Sequence, residues 1–116
     1  MLEKSCGTIP YTINNGTIHY LLVKAKDDGY CGFPKGHVEA DESEEETALR
    51  ETLEETSVNV QINRDFRYEI SYRMDNGNTK TVIYFLAILK IKHRNGIMTL
   101  RILNTYCFLL TALFKN

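Results

Sequence analysis

Apolar and polar residues alternate along most of this chain, and the alternation gives way once to a rhythm of three and four. Lys4 to Tyr11 and Thr17 to Lys24 are rich in strand-forming residues. Between them stands Asn14-Asn15-Gly16, and because Asn and Gly accept positive φ a hairpin is predicted. Asp27-Asp28-Gly29 marks a second turn, and Cys31-Gly32-Phe33-Pro34 a short extended piece that leads into a loop at Gly36. Ser43 followed by Glu46 is a capping box that starts a helix near residue 43 or 44. Leu49 and Leu53, with Ala48 and Thr52, give that helix an apolar side to set on a sheet. Val58, Val60 and Ile62 then alternate, as do Phe66, Tyr68, Ile70 and Tyr72, and Thr79 to Ile91 forms a long strand joined to them through Asp75-Asn76-Gly77-Asn78. In the tail, Leu103, Cys107, Leu110 and Phe114 fall at helical spacing, which predicts a closing helix packed on the sheet. Strands on both sides of one helix, with hairpins throughout, make an α+β domain with a mixed sheet.

At 116 residues the chain is expected to be one domain, residues 1–116, with an atypical segment from about residue 92. Cys6, Cys31 and Cys107 are odd in number and lack metal-ligand spacing, so they read as reduced intracellular thiols. Met1-Leu2-Glu3-Lys4 carries no signal-peptide pattern, and Arg101 and Asn104 interrupt the apolar tail, so a cytoplasmic protein without a membrane span is expected. The net charge of -1 hides a polarised layout: nine acidic residues and one basic lie between Glu39 and Glu55, and thirteen basic against six acidic lie elsewhere. An acidic helix on an otherwise basic protein suits a polyanionic substrate whose charge is shared by a metal and by lysines. No basic stripe with interleaved aromatics is present, so no stable nucleic-acid complex is expected, and a monomer or weak homodimer is.

The chemistry concentrates between Gly36 and Val58. Glu51, Glu54 and Glu55 follow Arg50 three and four residues apart, which on a helix puts three carboxylates on one face. Like charges so placed repel unless a cation stands between them, and Mg2+ or Mn2+ suits such oxygens. A solvated acidic helix is the plain alternative for any charge run. Here the fixed gaps favour the metal: Gly36, then Glu42 after five residues, then Arg50-Glu51 and Glu54-Glu55 after seven more.

That skeleton resembles the Nudix box of hydrolases that cleave nucleoside diphosphates linked to another moiety. Thr52 stands where the box usually has an aliphatic residue and Ser57 where it usually has glycine. Ser57 matters if the helix ends in a left-handed residue. Phe33-Pro34-Lys35-Gly36-His37-Val38-Glu39, Thr47 to Thr52 and Lys80 to Leu86 are similar to segments of the asymmetrical diadenosine tetraphosphate hydrolase branch. The resemblance covers about residues 4 to 90. It implies the Nudix α/β/α sandwich with mixed β-sheet and loop-helix, and metal on Glu51 and Glu55, with Glu54 ligating or bonding metal water and the Gly36 carbonyl adding an oxygen. Arg50 is expected to fix a glutamate rotamer, and Glu42 to stabilise the loop and helix start.

By the same resemblance Lys35, His37 and Lys80 supply charge or hydrogen bonds to a phosphate chain. Tyr84 lies four residues from Lys80 on one strand face, where it can stack a base or bond a phosphate. Tyr68 and Tyr72 are read first as core and second as pocket residues. The implied reaction is metal-dependent hydrolysis of diadenosine tetraphosphate to ATP and AMP. Alternatives are an RNA 5′-pyrophosphohydrolase, a nucleoside triphosphate pyrophosphatase, or a non-catalytic nucleotide sensor. Family members usually carry a glutamate beyond the last long strand, whereas here nothing acidic follows Asp75, so the ending reads as divergent, truncated or frame-shifted.

Overall fold

A computed structural model describes residues 2–14, 16–24 and 31–90, together with the backbone of 106–112. In chain order it contains β1 (Leu2–Asn14), β2 (Thr17–Lys24), β3 (Cys31–Gly32), β4 (Lys35–His37), α1 (Glu44–Thr56), β5 (Val60–Arg73), β6 (Thr79–Leu89) and β7 (Tyr106–Ala112). The strands form one mixed sheet, in the order β3-β2-β1-β6-β5, with β4 on β1 and β7 on β2. The α+β class is as expected, with α1 the one helix among the described residues.

Strand β1 organises the sheet by using both edges. Its parallel partner β6 runs along Leu2 to Tyr11. Its antiparallel partners are β2 at Tyr11 to Asn14 and β4 at Ser5 to Gly7. Gly7 permits the β4 contact, because a Cβ there would collide with the Pro34 carbonyl and Lys35. Gly16 turns the predicted first hairpin at φ 76° and Gly77 the last at φ 86°.

Odd-numbered residues of β6 face α1. Cys6, Ala48, Ile83 and Phe85 form the core beneath the helix, and Leu21, Val58, Val60, Ala87 and Leu89 continue it, with Ile62 packed against both groups. The alternation from Val58 to Tyr72 resolves into one strand with a bulge between Asn63 and Arg67. Beyond the bulge the strand is an exposed sheet edge. Tyr68 and Tyr72, expected first in the core, are about half exposed on the face opposite α1.

Two further expectations are corrected. The buried stripe of α1 is Thr47, Ala48, Thr52 and Thr56, while Leu49 and Leu53 are 40% and 46% exposed. Threonine serves as core here because its hydroxyl is satisfied locally. Thr52 donates to the Ala48 carbonyl at 2.7 Å and Thr56 to the Thr52 carbonyl at 2.6 Å, which leaves the methyls for packing. In the tail, 106–112 is a strand and not part of a closing helix. A short apolar run fits either period, and β2 offers it an antiparallel edge from Ile18 to Lys24. The rest of the predicted helix lies outside the described residues.

Candidate active site

Helix α1 starts where the sequence places it. The Ser43 side chain accepts from the Glu46 N–H at 3.1 Å and the Glu46 carboxylate accepts from the Ser43 N–H at 3.3 Å. Glu44, Glu45 and Glu46 fill the first turn, where negative charge complements the helix dipole. The helix ends at Ser57, which is left-handed at φ 56° and donates its N–H to the Leu53 carbonyl at 2.8 Å.

Arg50 is the hub of the acidic segment. Its Nε meets Glu42 at 2.7 Å, its Nη1 meets Glu51 at 2.8 Å and Glu54 at 3.3 Å, and its Nη2 donates to the His37 carbonyl at 3.0 Å. The cation expected between the glutamates is therefore supplied in part by the chain itself. Among the described residues no three acidic, histidine or cysteine side chains converge as a metal cage. Glu42 also accepts from the Glu39 N–H and the Thr47 hydroxyl, so it closes the loop onto the helix, and its hydrogen bond from Arg50 holds its carboxyl down to about 2.

Glu55 reaches strand β4. It accepts the Lys35 N–H at 3.1 Å, and burial, reinforced by the neighbouring Glu51 charge, pushes its carboxyl up to about 7. A half-buried carboxylate with a second beside it is stabilised by added positive charge, so the chemistry of Glu51 and Glu55 suits a divalent cation, although these side chains and Glu54 are not gathered into a cage.

Strand β4 meets these glutamates at its outer edge. Thr8 N–H to Pro34 C=O and Val38 N–H to Lys4 C=O set the alternation of the ladder. Gly36, paired with Cys6 between them, turns its polar groups toward β1, and Lys35 and His37 turn theirs outward. The Gly36 carbonyl, expected as a metal oxygen, thus faces into the sheet, and the outward carbonyl beside Glu55 belongs to Lys35. Gly36 contributes by lacking a side chain, since a Cβ there would occupy the place of the Glu51 carboxyl group.

The face of the sheet opposite α1 gathers the other candidates by register. Lys35, Gly7, Tyr84 and Tyr68 form one row, His37, Ser5, Val82 and Ile70 the next, and Glu3, Lys80 and Tyr72 a third. Lys35 and Lys80 thus share one face of the sheet. Burial, then Lys80, depresses the Lys35 pKa. His37 is exposed. A cleft of about 580 Å³ opens here, lined by Val23, Gly32, Phe33, Lys35, Glu55, Ile70, Tyr72, Val82 and Tyr84. Tyr20, Phe33 and Tyr84 stack edge to face along one wall, at centroid distances of 6.2 and 6.0 Å.

The structure thus brings Lys35, Tyr84 and Glu55 to one cleft, sets Lys80 on the same sheet face beside Tyr72, and holds Arg50, Glu51 and Glu54 in the adjoining ion network. Sequence reasoning missed Tyr20, which ordinary strand alternation conceals. It also missed Ser5, whose fully buried hydroxyl has no hydrogen-bond partner. No helix among the described residues is long and apolar enough to cross a membrane.

Comparison with known proteins agrees with this geometry. The NUDIX domain model matches residues 7–100. The asymmetrical bis(5′-nucleosyl)-tetraphosphatase of Mus musculus is 40% identical over 100 residues, which are 78% of this chain and 67% of that protein. The crystal structure of C. elegans Ap4A hydrolase superposes with a TM-score of 0.74 at 31% identity, covering 92% of this chain and 80% of the other. A binary complex of C. elegans Ap4A hydrolase gives 0.68 at 30% identity, over 80% and 76%.

Proposed function

Because this chain belongs to the NUDIX family and is a hydrolase of phosphoanhydrides, we propose that it cleaves a dinucleoside tetraphosphate asymmetrically, converting diadenosine tetraphosphate to ATP and AMP. One observation carries the reading. Lys35 donates its backbone N–H to Glu55 while its side chain lines the cleft, on the sheet face that also carries Lys80. Carboxylates for a metal and cations for phosphates therefore join at a single residue, with an aromatic wall beyond them.

Lys35 and Lys80 bind the phosphate chain, together with His37. Two lysines on one sheet face are stabilised by an anion bound there, and a polyphosphate supplies it. Tyr84, backed by Phe33 and Tyr20, offers a nucleobase an aromatic edge and face, and Tyr72 offers a second from β5. Glu51, Glu54 and Glu55 would hold Mg2+ or Mn2+, which when bound neutralises phosphate charge and lowers the pKa of water. Arg50 keeps Glu51 and Glu54 in fixed rotamers, and Glu55, seated in the cleft wall, accepts a proton from the attacking water. The water oxygen bonds to phosphorus, the bridging P–O bond breaks, and the two nucleotides leave. The single-domain organisation, a cytoplasmic location and a monomer or weak homodimer belong to the same proposal.

The test is incubation of the purified protein with diadenosine tetraphosphate and Mg2+, with chromatographic separation of products and Glu55→Gln run in parallel. ATP plus AMP, lost in the variant, is the expected result. Cleavage of 5′-triphosphorylated RNA without cleavage of the dinucleotide would assign a different substrate.

A further inference from the structure

We propose that Thr8, a β1 residue outside the Nudix box, is a positioning residue that sets the separation between α1 and β4 and so holds Glu51 and Glu55 in place. The inference rests on the metal-binding reading of those glutamates.

Thr8 and Thr52 are both fully buried, and their hydroxyl oxygens are 2.7 Å apart. The Thr52 proton is committed to the Ala48 carbonyl, so the Thr8 hydroxyl donates to Thr52. The backbone of the same residue reaches β4, its N–H donating to the Pro34 carbonyl at 3.1 Å. Lys35, next in sequence, donates its N–H to Glu55, and Glu55 lies one turn along α1 from Thr52. The contacts form a closed circuit: Thr8 to Pro34, Lys35 to Glu55, along the helix to Thr52, and back to Thr8. Two atoms of one residue thereby hold the two elements that carry the site.

The position is tight as well as tethered. Gly7 brings β4 against β1, and Gly36 brings the Glu51 carboxyl group against β4. Apolar packing alone is non-directional and tolerates sliding, whereas a buried hydrogen bond fixes one register. A small shift of α1 would separate Glu55 from the Lys35 amide.

Thr8→Val keeps the side-chain shape and the backbone bond and removes only the hydroxyl. Three quantities are measured on the full chain: Mn2+ affinity by titration of the free-ion electron paramagnetic resonance signal, amide exchange of Lys35 in metal-free protein, and kcat and KM for diadenosine tetraphosphate. Mn2+ affinity and kcat should each fall about tenfold. Lys35 amide exchange should accelerate, and KM should stay within about twofold. Thr8→Ser should restore all of these. Loss of melting temperature alone, with Mn2+ affinity and Lys35 exchange unchanged, overturns the proposal. Should Thr8→Val fail to fold, Thr52→Val and the double valine variant replace it. The proposal expects their effects on Mn2+ affinity to be non-additive, and simple additivity overturns it. A wild type that ignores diadenosine tetraphosphate while Thr8→Val still weakens Mn2+ binding removes the substrate assignment and leaves Thr8 standing.

Discussion

Gly36→Ala isolates the part played by a missing side chain. The Gly36 backbone has no left-handed φ, so alanine suits its conformation and the effect is steric. The added Cβ would fall well inside contact distance of the Glu51 carboxyl group. To regain ordinary contact at ~3.5 Å the carboxylate must retreat by roughly 1.5 Å. That movement takes Glu51 from its 2.8 Å contact with Arg50 Nη1. Overpacking of this kind costs about 1–3 kcal/mol of stability. Displacement of a catalytic group by ~1 Å or more costs about 100-fold in rate. The assays are urea denaturation and initial rates of phosphoanhydride hydrolysis. Gly77→Ala provides the contrast, because its φ of 86° strains alanine although nothing lies within 4 Å of the new Cβ. It should lose about 1 kcal/mol of stability and no activity. A Gly36→Ala protein with wild-type rate and stability would refute the close packing of Glu51 on β4.

Ser57→Gly should raise stability by about 0.5–1 kcal/mol, since glycine adopts φ 56° without strain, and an unchanged or lower melting temperature would contradict this. Ser5→Ala should also stabilise, by about 1 kcal/mol, because the native hydroxyl is buried without a partner; destabilisation in thermal unfolding would show that it has one. Hydrogen bonding from Arg67 holds the Glu44 carboxyl at about 2, below its ordinary 4.5, so its ion pairs with Arg67 and Lys4 stabilise the fold above pH 4.5. Glu44→Gln should therefore cost about 1 kcal/mol at pH 7, and the difference from wild type should vanish as pH falls from about 4.5 to about 2. A difference that is constant across that range would show that the pairs are not responsible.

The parts of the fold that the sequence discloses are those with local causes. The capping box at Ser43 and Glu46, the Gly16 and Gly77 turns and the strand periods each depend on residues a few positions apart. The Leu49 and Leu53 side was misjudged because a threonine looks polar until its hydroxyl finds the carbonyl one turn back. Tyr68 and Tyr72 read as core because alternation shows that a strand has two faces, not which one a helix covers. The tail misled for a third reason: Leu103 to Phe114 has helical spacing, while the edge of β2 that pairs with 106–112 is remote in sequence. At the site, fixed gaps made Arg50, Glu51, Glu54 and Glu55 legible, and the direction of the Gly36 carbonyl was not. That direction depends on the parity of a ladder with β1, which no spacing within the box records.

Strand β4 is three residues long and, among the described residues, pairs with β1 alone. An open sheet edge ordinarily invites another chain, or is guarded by charge. Here the outward Lys35 N–H and His37 C=O are taken by Glu55 and Arg50, so two side chains finish the sheet as a neighbouring strand would. Fraying of that border would therefore release Glu55 and Arg50 together. A strand added at this border would have to displace the same two side chains, so the packing of Glu55 and Arg50 doubles as the sheet's guard against edge-to-edge pairing.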